Sequence, residues 1–342
     1  MPKVAIIGTG LIGASVGLAL RDQGWETTGW DPSPDALGLA AERHAAESAA
    51  GSVEQAIEGV DLVVLAGPLQ ANLETLSGLD TRALVTDVTS VKVPLLAAVR
   101  NGVRFVGGHP MAGREHAGPE AASPALFRGA PWVICDDDAR AEDVERISSI
   151  AGSTGANPIV MSAQRHDEVV AAVSHLPHLL AVALVNTISD NPDAAELVSG
   201  SFRDITRVAS AESNWWPEVL TANAEAVTMA LDDLVASLMD LKARVRSGDI
   251  DGLADQLDLA RTQRGTMAPP VAMVQVVLQD KPGEIAAVGH ALQTSMVDVR
   301  DLQLRHAVHG GGGILSLSVR PGEVETLKAA LAEEGFEIEV DD

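Results

Sequence analysis

Short apolar runs alternate with stretches of helical periodicity over residues 1–162. Runs of this kind, bounded by glycine, proline or an acid, predict buried strands, and the periodic stretches between them predict helices. The predicted strands are Lys3–Gly8, Trp25–Asp31, Asp61–Ala66, Ala83–Asp87, Arg104–Val106, Pro131–Cys135 and Asn157–Met161. Strands that alternate with helices in this way are typical of a parallel, doubly wound α/β sheet with helices on both faces.

The pattern changes after residue 162. Helical periodicity without a convincing strand runs through residues 163–265, with runs at Asp167–Ile188, Glu218–Ser247 and Ile250–Thr262. We therefore predict an all-α second domain. A helix of about 30 residues would span about 45 Å, which is too long for a monomeric bundle of this size to cover. We expect a homodimer whose subunits share these helices.

A third domain is predicted after the segment Thr262–Pro270, which has the glycine, proline and polar composition of a linker. Residues 266–342 show the order strand, helix, strand, strand, helix, strand, which is the ferredoxin-like βαββαβ arrangement. The predicted strands are Val271–Leu278, Val297–Arg305, Gly313–Val319 and Phe336–Val340, and the predicted helices are Glu284–Ser295 and Glu323–Glu334.

The composition narrows the choice of partner and compartment. The 342 residues include 48 acidic and 24 basic side chains, and the net charge of −24 argues against nucleic acid or an anionic membrane surface as a partner. No run of about 18 apolar residues lacks a charge, so we expect no membrane span. Cys135 is the single cysteine, which excludes an intrachain disulfide and fits a reducing cytoplasm.

A glycine-rich hexapeptide lies between the first predicted strand and the first predicted helix. It has the pattern G-x-G-x-x-G and consists of Gly8, Thr9, Gly10, Leu11, Ile12 and Gly13. The first glycine permits a tight turn, the second lets the backbone approach a pyrophosphate, and the third allows close packing of the helix. Asp31 ends the second strand, where a carboxylate accepts hydrogen bonds from a ribose and repels a 2′-phosphate. We predict a Rossmann-like domain that binds NAD rather than NADP; the alternative is a structural glycine loop beside a capping aspartate.

Two further loops follow predicted strands at the same edge of the sheet. Gly107–Gly113 contains His109, whose near-neutral pKa suits a general base and whose flanking glycines leave room for a substrate. Asp87–Lys92 contains Ser90, which lies either near the nicotinamide and the substrate or at the N-cap of the next helix. A lone histidine is often structural, so both interpretations of His109 stay open on this loop alone.

The helical domain contributes histidines and arginines. His175 and His178 lie three residues apart, as metal ligands do, but no nearby carboxylate or cysteine completes a site, and we predict no metal. Arg203 and Arg207 flank Asp204 in an otherwise apolar region. Arginine suits bidentate recognition of a substrate carboxylate, and the alternative is an ion pair with Asp204 that joins helices.

Several of these motifs occur together in one order over residues 1–265. They are Gly8–Ser15 (GTGLIGAS), Asp87–Lys92 (DVTSVK), Gly107–Gly113 (GGHPMAG), His166–Asp167, Ser174–His178 (SHLPH), Ser201–Ala209 (SFRDITRVA) and Trp216. In this combination the chain resembles the prephenate/arogenate dehydrogenase family of tyrosine biosynthesis. The C-terminal unit is similar to an ACT domain, an amino-acid-sensing module. The resemblance implies an NAD-binding Rossmann domain at 1–162, a helical substrate and dimerisation domain at 163–265 and an ACT regulatory domain at 266–342.

The resemblance also implies roles for individual residues. The family oxidises a cyclohexadienol with loss of CO₂, giving 4-hydroxyphenylpyruvate from prephenate or tyrosine from arogenate. His109 matches the catalytic base, Ser90 matches a serine that orients the hydroxyl, and Arg207 matches the substrate-carboxylate binder. Pocket residues of the family are matched by His175, Trp216 and Glu115. Arg114 stands where several members have threonine, and this extra cation would favour a keto-acid side chain.

We expect prephenate as the small-molecule substrate, and arogenate is the alternative with the same fold and chemistry. β-Hydroxyacid dehydrogenases and imine reductases share the domain combination but lack the HPMAG loop. A non-catalytic sensor of NAD and amino acids would need a DNA- or partner-binding surface, and the sequence contains no basic recognition helix. An aromatic amino acid, tyrosine before phenylalanine, is the expected effector. The residues expected to bind it are Asp280, Pro282 and Gly283.

Overall fold

The computed structural model describes residues 1–114, 118–210, 214–267, 272–279, 281–306 and 312–341. The chain divides into two units, Met1–Ser237 and Leu238–Asp342. The three-domain division inferred from the sequence stays a prediction.

The strands of the first unit form an eight-stranded sheet. They are β1 Lys3–Ile7, β2 Glu26–Trp30, β3 Ser48–Ala49, β4 Leu62–Leu65, β5 Leu84–Asp87, β6 Arg104–Pro110, β7 Pro131–Cys135 and β8 Asn157–Met161. Their spatial order is β3-β2-β1-β4-β5-β6-β7-β8, so the strand order reverses between β1 and β4. Open α/β sheets bind ligands at such a reversal, outside the carboxyl ends of the strands.

The helices between the predicted strands follow the predicted alternation, whereas the short elements β3 and Val53–Ala56 were not predicted. The α-helices are α1 Leu11–Arg21, α2 Pro34–Glu42, α3 Val53–Ala56, α4 Leu69–Gly78, α5 Val93–Ala98, α6 Ala141–Ser153, α7 Ala163–Val170, α8 Leu176–Ile188, α9 Pro192–Leu197, α10 Gly200–Thr206, α11 Trp216–Ala222, α12 Ala224–Ser247, α13 Ile250–Met267, α14 Glu284–Ser295 and α15 Val324–Glu333. A π-helical turn occupies Ala171–His175, and 3-10 turns occupy Pro119–Ala121, Arg207–Ser210 and Pro321–Glu323.

The central strands are apolar throughout because both faces of the sheet are covered. Side chains alternate between the faces along a strand. One core contains Val4, Ile6, Leu62 and Val64, and the opposite core contains Ala5, Ile7, Val63 and Leu65. This two-sided burial explains the continuous apolar runs from which the strands were predicted.

The sheet departs from the prediction at one edge. Strand β6 pairs antiparallel with β7, so the sheet is mixed rather than wholly parallel. The same pairing extends β6 beyond Val106 to Pro110, and His109 faces Val133 within the ladder. His109 therefore lies on a strand, where a loop was predicted. Glycine and proline disfavour strands, and the pairing partner overrides that local preference.

The two long helices predicted after residue 162 are both interrupted. The first contains the π-helical turn Ala171–His175 just before Pro177, which has no backbone N–H to donate to the preceding turn. The second is divided at Asn223 into α11 and α12, where the Asn223 side chain turns inward to the carbonyl oxygen of Asp167 at 2.8 Å. Helix α12 has 24 residues, so helix length no longer argues for a dimer.

One helical run contradicts the expectation that no segment could span a membrane. Ala163–Ile188 is long and apolar enough to do so, and an 18-residue window within it has a mean hydropathy of 1.7. A core helix of a soluble protein passes the same test, so length and composition alone do not distinguish the two. Two histidines on this run, His175 and His178, are buried and contact Trp216 in the same unit.

The second unit contains a four-stranded antiparallel sheet. Its strands are β9 Ala272–Leu278, β10 Asp301–His306, β11 Gly313–Val319 and β12 Ile338–Asp341, in the spatial order β10-β11-β9-β12. Val288 of α14 and Leu327 of α15 join the core that the strands form. Helix α13 continues to Met267, so the start of the predicted linker is helical, and residues 268–271 lie outside the described part of the chain.

Candidate active site

The glycine-rich loop lies at the reversal of strand order, between β1 and α1. Gly8 has a φ of +99°, and a Cβ atom there would lie 2.6 Å from the backbone of Ala66. A Cβ atom at Gly13 would overlap the carbonyl oxygen of Gly8. The space beside Gly10 is open, and α1 begins there without a side-chain cap. An open helix N-terminus offers backbone N–H groups to an anion, so this loop fits the pyrophosphate of a dinucleotide.

Asp31 follows β2 beside this loop and holds it in place through hydrogen bonds. Its Oδ2 accepts a hydrogen bond from the backbone N–H of Thr9 at 2.7 Å, and its Oδ1 accepts one from Ser33 at 2.9 Å. Oδ2 also accepts a hydrogen bond from the Thr9 hydroxyl at 3.2 Å, so the second lone pair of Oδ1 is the one that stays available. Asp31 is partly exposed, so it retains the capacity to accept a hydrogen bond from a ribose hydroxyl.

His109 lies near the carboxyl end of β6 and is only 8% exposed. Its Nδ1 is 2.8 Å from Nε2 of His166, and Nδ1 of His166 is 2.7 Å from Oδ1 of Asp167. Because a carboxylate only accepts, His166 donates from Nδ1, and its Nε2 then accepts the Nδ1–H of His109. This order of donors leaves Nε2 of His109 as an unprotonated base.

The surroundings keep both imidazoles neutral. Burial lowers the pKa of His109 well below its ordinary value of 6.5, and the neighbouring His166, Lys92 and His175 lower it further. Burial also lowers the pKa of His166, although its hydrogen bond to Asp167 opposes that shift. A neutral ring with a fixed tautomer is what a general base requires at neutral pH.

Asp167, which orients this pair of histidines, is itself held by backbone groups. Its two carboxylate oxygens accept hydrogen bonds from the backbone N–H groups of Lys92 and Val93 at 2.8 and 2.9 Å. Sequence reasoning did not assign site roles to His166, Asp167, Lys92 or Asn223. The adjacent His-Asp pair at the start of a predicted helix was the signal available for two of them.

His175, His178 and Trp216 form a second cluster in this unit. The rings of His178 and Trp216 stack with centroids 3.9 Å apart, and His175 meets Trp216 edge-on at 5.9 Å. Burial lowers the pKa of His175 to about 4. Nε2 of His175 and Nε1 of Trp216 are buried with no hydrogen-bond partner among the described residues. Buried polar atoms of this kind indicate a place for a ligand or water.

The amide of Asn223 sets the tautomer of His175. The Asn223 Nδ2 atom donates to a backbone carbonyl, which fixes its orientation, and it lies 3.4 Å from Nδ1 of His175. Nδ1 of His175 is therefore the acceptor, and the neutral ring carries its proton on Nε2. In the described part of the chain, no group of three His, Cys, Asp or Glu residues could hold a metal ion.

The remaining predicted residues lie outside these two histidine clusters. Ser90 is half-buried between β5 and α5, and the N-cap of α5 is Lys92, so the alternative role of Ser90 as that N-cap was wrong. Arg114 donates to the carbonyl oxygen of Ala121 at 3.0 Å. Arg207 is exposed at the start of a 3-10 turn, next to Val208, whose backbone contacts His178.

Three residues were predicted to bind an effector, and Glu115 was predicted to match an acid near the pocket mouth. Gly283 has a φ of +96° and precedes α14, with Pro282 beside it. Glu115 and Asp280 lie outside the described residues.

The glycine loop, the segment after β5 and His109 all lie toward the carboxyl ends of neighbouring strands. A dinucleotide-binding loop and a neutral, oriented histidine base at one sheet edge are the parts of a nicotinamide-dependent dehydrogenase. The fold and the site thus define an NAD-dependent oxidoreductase.

Comparison with protein families identifies the group within this class. The model described as "Prephenate dehydrogenase, nucleotide-binding domain" matches residues 16–160, and "Prephenate dehydrogenase, dimerization domain" matches residues 162–259. These two matches cover well over half of the chain, which therefore belongs to the prephenate dehydrogenase family.

Individual relatives agree with this assignment. The chain is 32% identical over 265 residues to the prephenate dehydrogenase of Lactococcus lactis subsp. cremoris (strain MG1363), covering 73% of each chain. The Aquifex aeolicus prephenate dehydrogenase, solved with hydroxyphenyl propionate and NAD+, is 29% identical with a TM-score of 0.73, covering 78% of this chain and 99% of that one. The Synechocystis arogenate dehydrogenase is 27% identical with a TM-score of 0.69, covering 78% of this chain and all (100%) of that one.

Proposed function

We propose that this chain oxidises prephenate with NAD, with loss of CO₂, to give 4-hydroxyphenylpyruvate. The main support for the proposal is the series of hydrogen bonds that joins Asp167 to His166 and His166 to His109. It leaves Nε2 of His109 unprotonated, as a base in a dinucleotide-binding fold. Membership of the prephenate dehydrogenase family supplies the substrate class.

His109 takes the hydroxyl proton of the substrate on Nε2. NAD, when bound, accepts the hydride that leaves the same carbinol carbon. The bond to the ring carboxylate then breaks, its electron pair enters the ring to complete the aromatic system, and CO₂ departs. His109 returns the proton to the phenolic oxygen. Asp167 and His166 keep the tautomer of His109 correct throughout, so no reorganisation of the base is needed during the reaction.

Substrate binding is assigned to Arg207, His175 and Trp216. The Arg207 guanidinium suits a carboxylate, and Nε2 of His175 and Nε1 of Trp216 are buried N–H groups that need acceptors. Two neutral donors match the oxygen atoms of a keto-acid side chain. The ammonium group of arogenate would find no acceptor in these two atoms, and this favours prephenate. Arg114 adds a cation with the same preference, and Ser90 orients the hydroxyl. Glu115 is assigned to the pocket only by its match to the family.

The glycine loop and Asp31 are assigned to NAD. The backbone N–H groups at the start of α1 bind the pyrophosphate, and the Asp31 carboxylate binds the adenosine ribose and repels the 2′-phosphate of NADP.

The rest of the chain is assigned to assembly and regulation. The matched dimerisation model supports a homodimer. We place the enzyme in the cytoplasm because a single cysteine fits a reducing compartment. The order of strands and helices in the second unit supports an ACT-type ferredoxin-like domain at residues 266–342. An aromatic amino acid, tyrosine first, would bind at the turn that includes Asp280, Pro282 and Gly283.

The deciding experiment measures NADH formation with prephenate and arogenate side by side, each with NAD and with NADP. We expect the largest kcat/KM for prephenate with NAD. A larger kcat/KM for arogenate would transfer the assignment to arogenate dehydrogenase, and no turnover of either would overturn it.

The regulatory assignment has its own test. Tyrosine and phenylalanine are titrated into the full-length chain and into a chain that ends near Ala268. We expect inhibition of the full-length chain alone, with a 5–150-fold change in apparent affinity. Equal inhibition of both forms would mean that the amino acid competes at the active site.

A further inference from the structure

We propose that Lys92 is a positioning residue for the reaction, which together with Asp87 clamps the end of strand β6 and so places His109. The inference rests on the proposed function because it assigns Lys92 a role that acts through His109.

The clamp is a wholly buried ion pair. Both the Lys92 and the Asp87 side chains are 0% exposed, and Nζ of Lys92 pairs with Oδ2 of Asp87. Nζ also donates to the carbonyl oxygen of Gly108 at 2.6 Å, and Oδ1 of Asp87 accepts from the backbone N–H of Gly108 at 3.0 Å. One ion pair therefore binds both backbone polar groups of the residue that precedes His109.

The glycines before His109 make room for this pair. A Cβ atom at Gly107 would lie 3.3 Å from Cδ of Lys92, and one at Gly108 would lie 2.6 Å from the carbonyl oxygen of Asp87. A side chain at Gly107 would therefore crowd Lys92, and one at Gly108 would collide with the backbone of Asp87, which explains the two glycines independently of access for a substrate.

The same segment also holds the ring of His109. The backbone N–H groups of Lys92 and Val93 bind Asp167, which orients His166 and, through it, His109. Residues 87–93 thus control His109 at two points, through the backbone of β6 and through the imidazole. Ser90 lies on this segment. The same residues therefore position both His109 and the serine that is proposed to orient the substrate hydroxyl.

The charge of Lys92 gives this role a measurable consequence. The groups that shift the pKa of His109 are His166 on α7, His175 on the π-helical turn and Lys92, and all three lower it. Burial and Lys92 lower the pKa of the neighbouring His166, whereas Asp167 and Asp87 raise it. Removing the Lys92 cation should therefore raise the pKa of His109, whereas a purely structural residue would leave it unchanged.

The test compares Lys92→Met with the double variant Asp87→Asn/Lys92→Met. The single variant leaves Asp87 buried without its cation and risks misfolding, whereas the double variant removes both charges together. Arg104→Met is the matched control. Arg104 lies on the same strand as His109 and pairs with the buried Asp143 of α6, but it is not among the groups that shift the pKa of His109.

We measure kcat, both KM values and the pH profile of kcat/KM, and titrate ¹⁵N-labelled histidines by NMR. We expect kcat to fall on the order of 10²-fold with little change in the KM for NAD. The acid limb of kcat/KM and the NMR titration of His109 should both move to higher pH in Lys92→Met, and should move less in the double variant. Arg104→Met should lower only the melting temperature.

An unchanged His109 titration in a folded double variant with near-wild-type kcat would overturn the proposal. The NMR titration needs no substrate, so it also separates the two proposals. A wild type that is inactive with prephenate, but whose His109 pKa still responds to Lys92, would reject the proposed reaction and retain the clamp.

Discussion

The base and the carboxylate-binding arginine of the proposed reaction lie in opposite kinds of surroundings. His109 is buried in the sheet and hydrogen-bonded to His166, which is bonded in turn to Asp167. Arg207 is exposed on a turn that follows the short helix α10, and neither element has a buried residue among those described. The same unit thus contains a buried base and an exposed arginine.

The difference follows from the chemistry assigned to each group. A base needs one tautomer and a neutral ring, which burial and fixed hydrogen bonds provide. A guanidinium stays charged in any surroundings and recognises a carboxylate through charge and shape, so it works from an exposed position. The contrast predicts losses of turnover at the buried site and losses of substrate affinity at the exposed one.

The largest effect is expected at the buried group. His109→Asn should lower kcat by about 10²–10⁴-fold, because the amide cannot accept the proton, while NAD affinity is largely retained. Steady-state kinetics and NAD titration measure both quantities. His290→Asn, at an exposed histidine of the second unit, is the control. Near-wild-type turnover in His109→Asn would remove this residue from the mechanism.

A smaller effect of a different kind is expected at Arg207. Arg207→Ala should weaken prephenate binding by about 2 kcal/mol or more, a rise of roughly 30-fold in KM, with a smaller change in NAD affinity. Arg203→Ala, on the same exposed segment, is the matched control. An equal rise in KM in both variants would show that the charge of the segment matters rather than one contact. Loss of the helical circular dichroism signal would make Arg207 a structural ion-pair residue.

Asp31 lies between the two extremes, partly exposed but hydrogen-bonded to the glycine loop. Asp31→Ser should narrow the preference for NAD over NADP on the order of tenfold, because the repulsion of the 2′-phosphate is lost. The ratio of the two kcat/KM values measures the change, with Asp35→Ser at an exposed acid as the control. A wild type that prefers NADP would contradict the prediction.

The smallest effect is a dependence of stability on pH. Burial lowers the pKa of His175 to about 4 from an ordinary value of 6.5. Between pH 6.5 and pH 4 the unfolded chain binds a proton at this histidine, whereas the folded chain does not. Protonation therefore favours unfolding, and the free energy of unfolding falls as the pH decreases from 6.5 toward 4. Melting temperatures should fall over this range in the wild type, and less steeply in His175→Asn. Parallel curves would exclude His175 as a source of the effect.

The activity profile is also expected to differ from that of an ordinary histidine base. An unperturbed imidazole would place the acid limb near pH 6.5. Because burial lowers the pKa of His109 well below that value, the acid limb of kcat/KM should lie below pH 6.5.

Local pattern was enough to predict seven of the eight strands of residues 1–162 and the glycine loop with Asp31, but it missed the two-residue strand β3 and the four-residue helix α3. Continuous apolar runs arise from burial on both faces, and the glycine pattern arises from contacts within a short βαβ segment, so both are properties of neighbouring residues. The sequence also identified His109 and the His175 cluster as candidates.

What the tertiary structure decided depends on residues far apart in the chain. Strand β6 was extended through His109 by its pairing with β7, and the long second helix was broken by Asn223, whose side chain bonds to Asp167 at a separation of 56 residues. The orientation of His109 depends on His166 at a separation of 57, and Asp167 is held by Lys92 at a separation of 75. No periodicity or spacing encodes such contacts, because they form only when the fold brings the segments together and buries them.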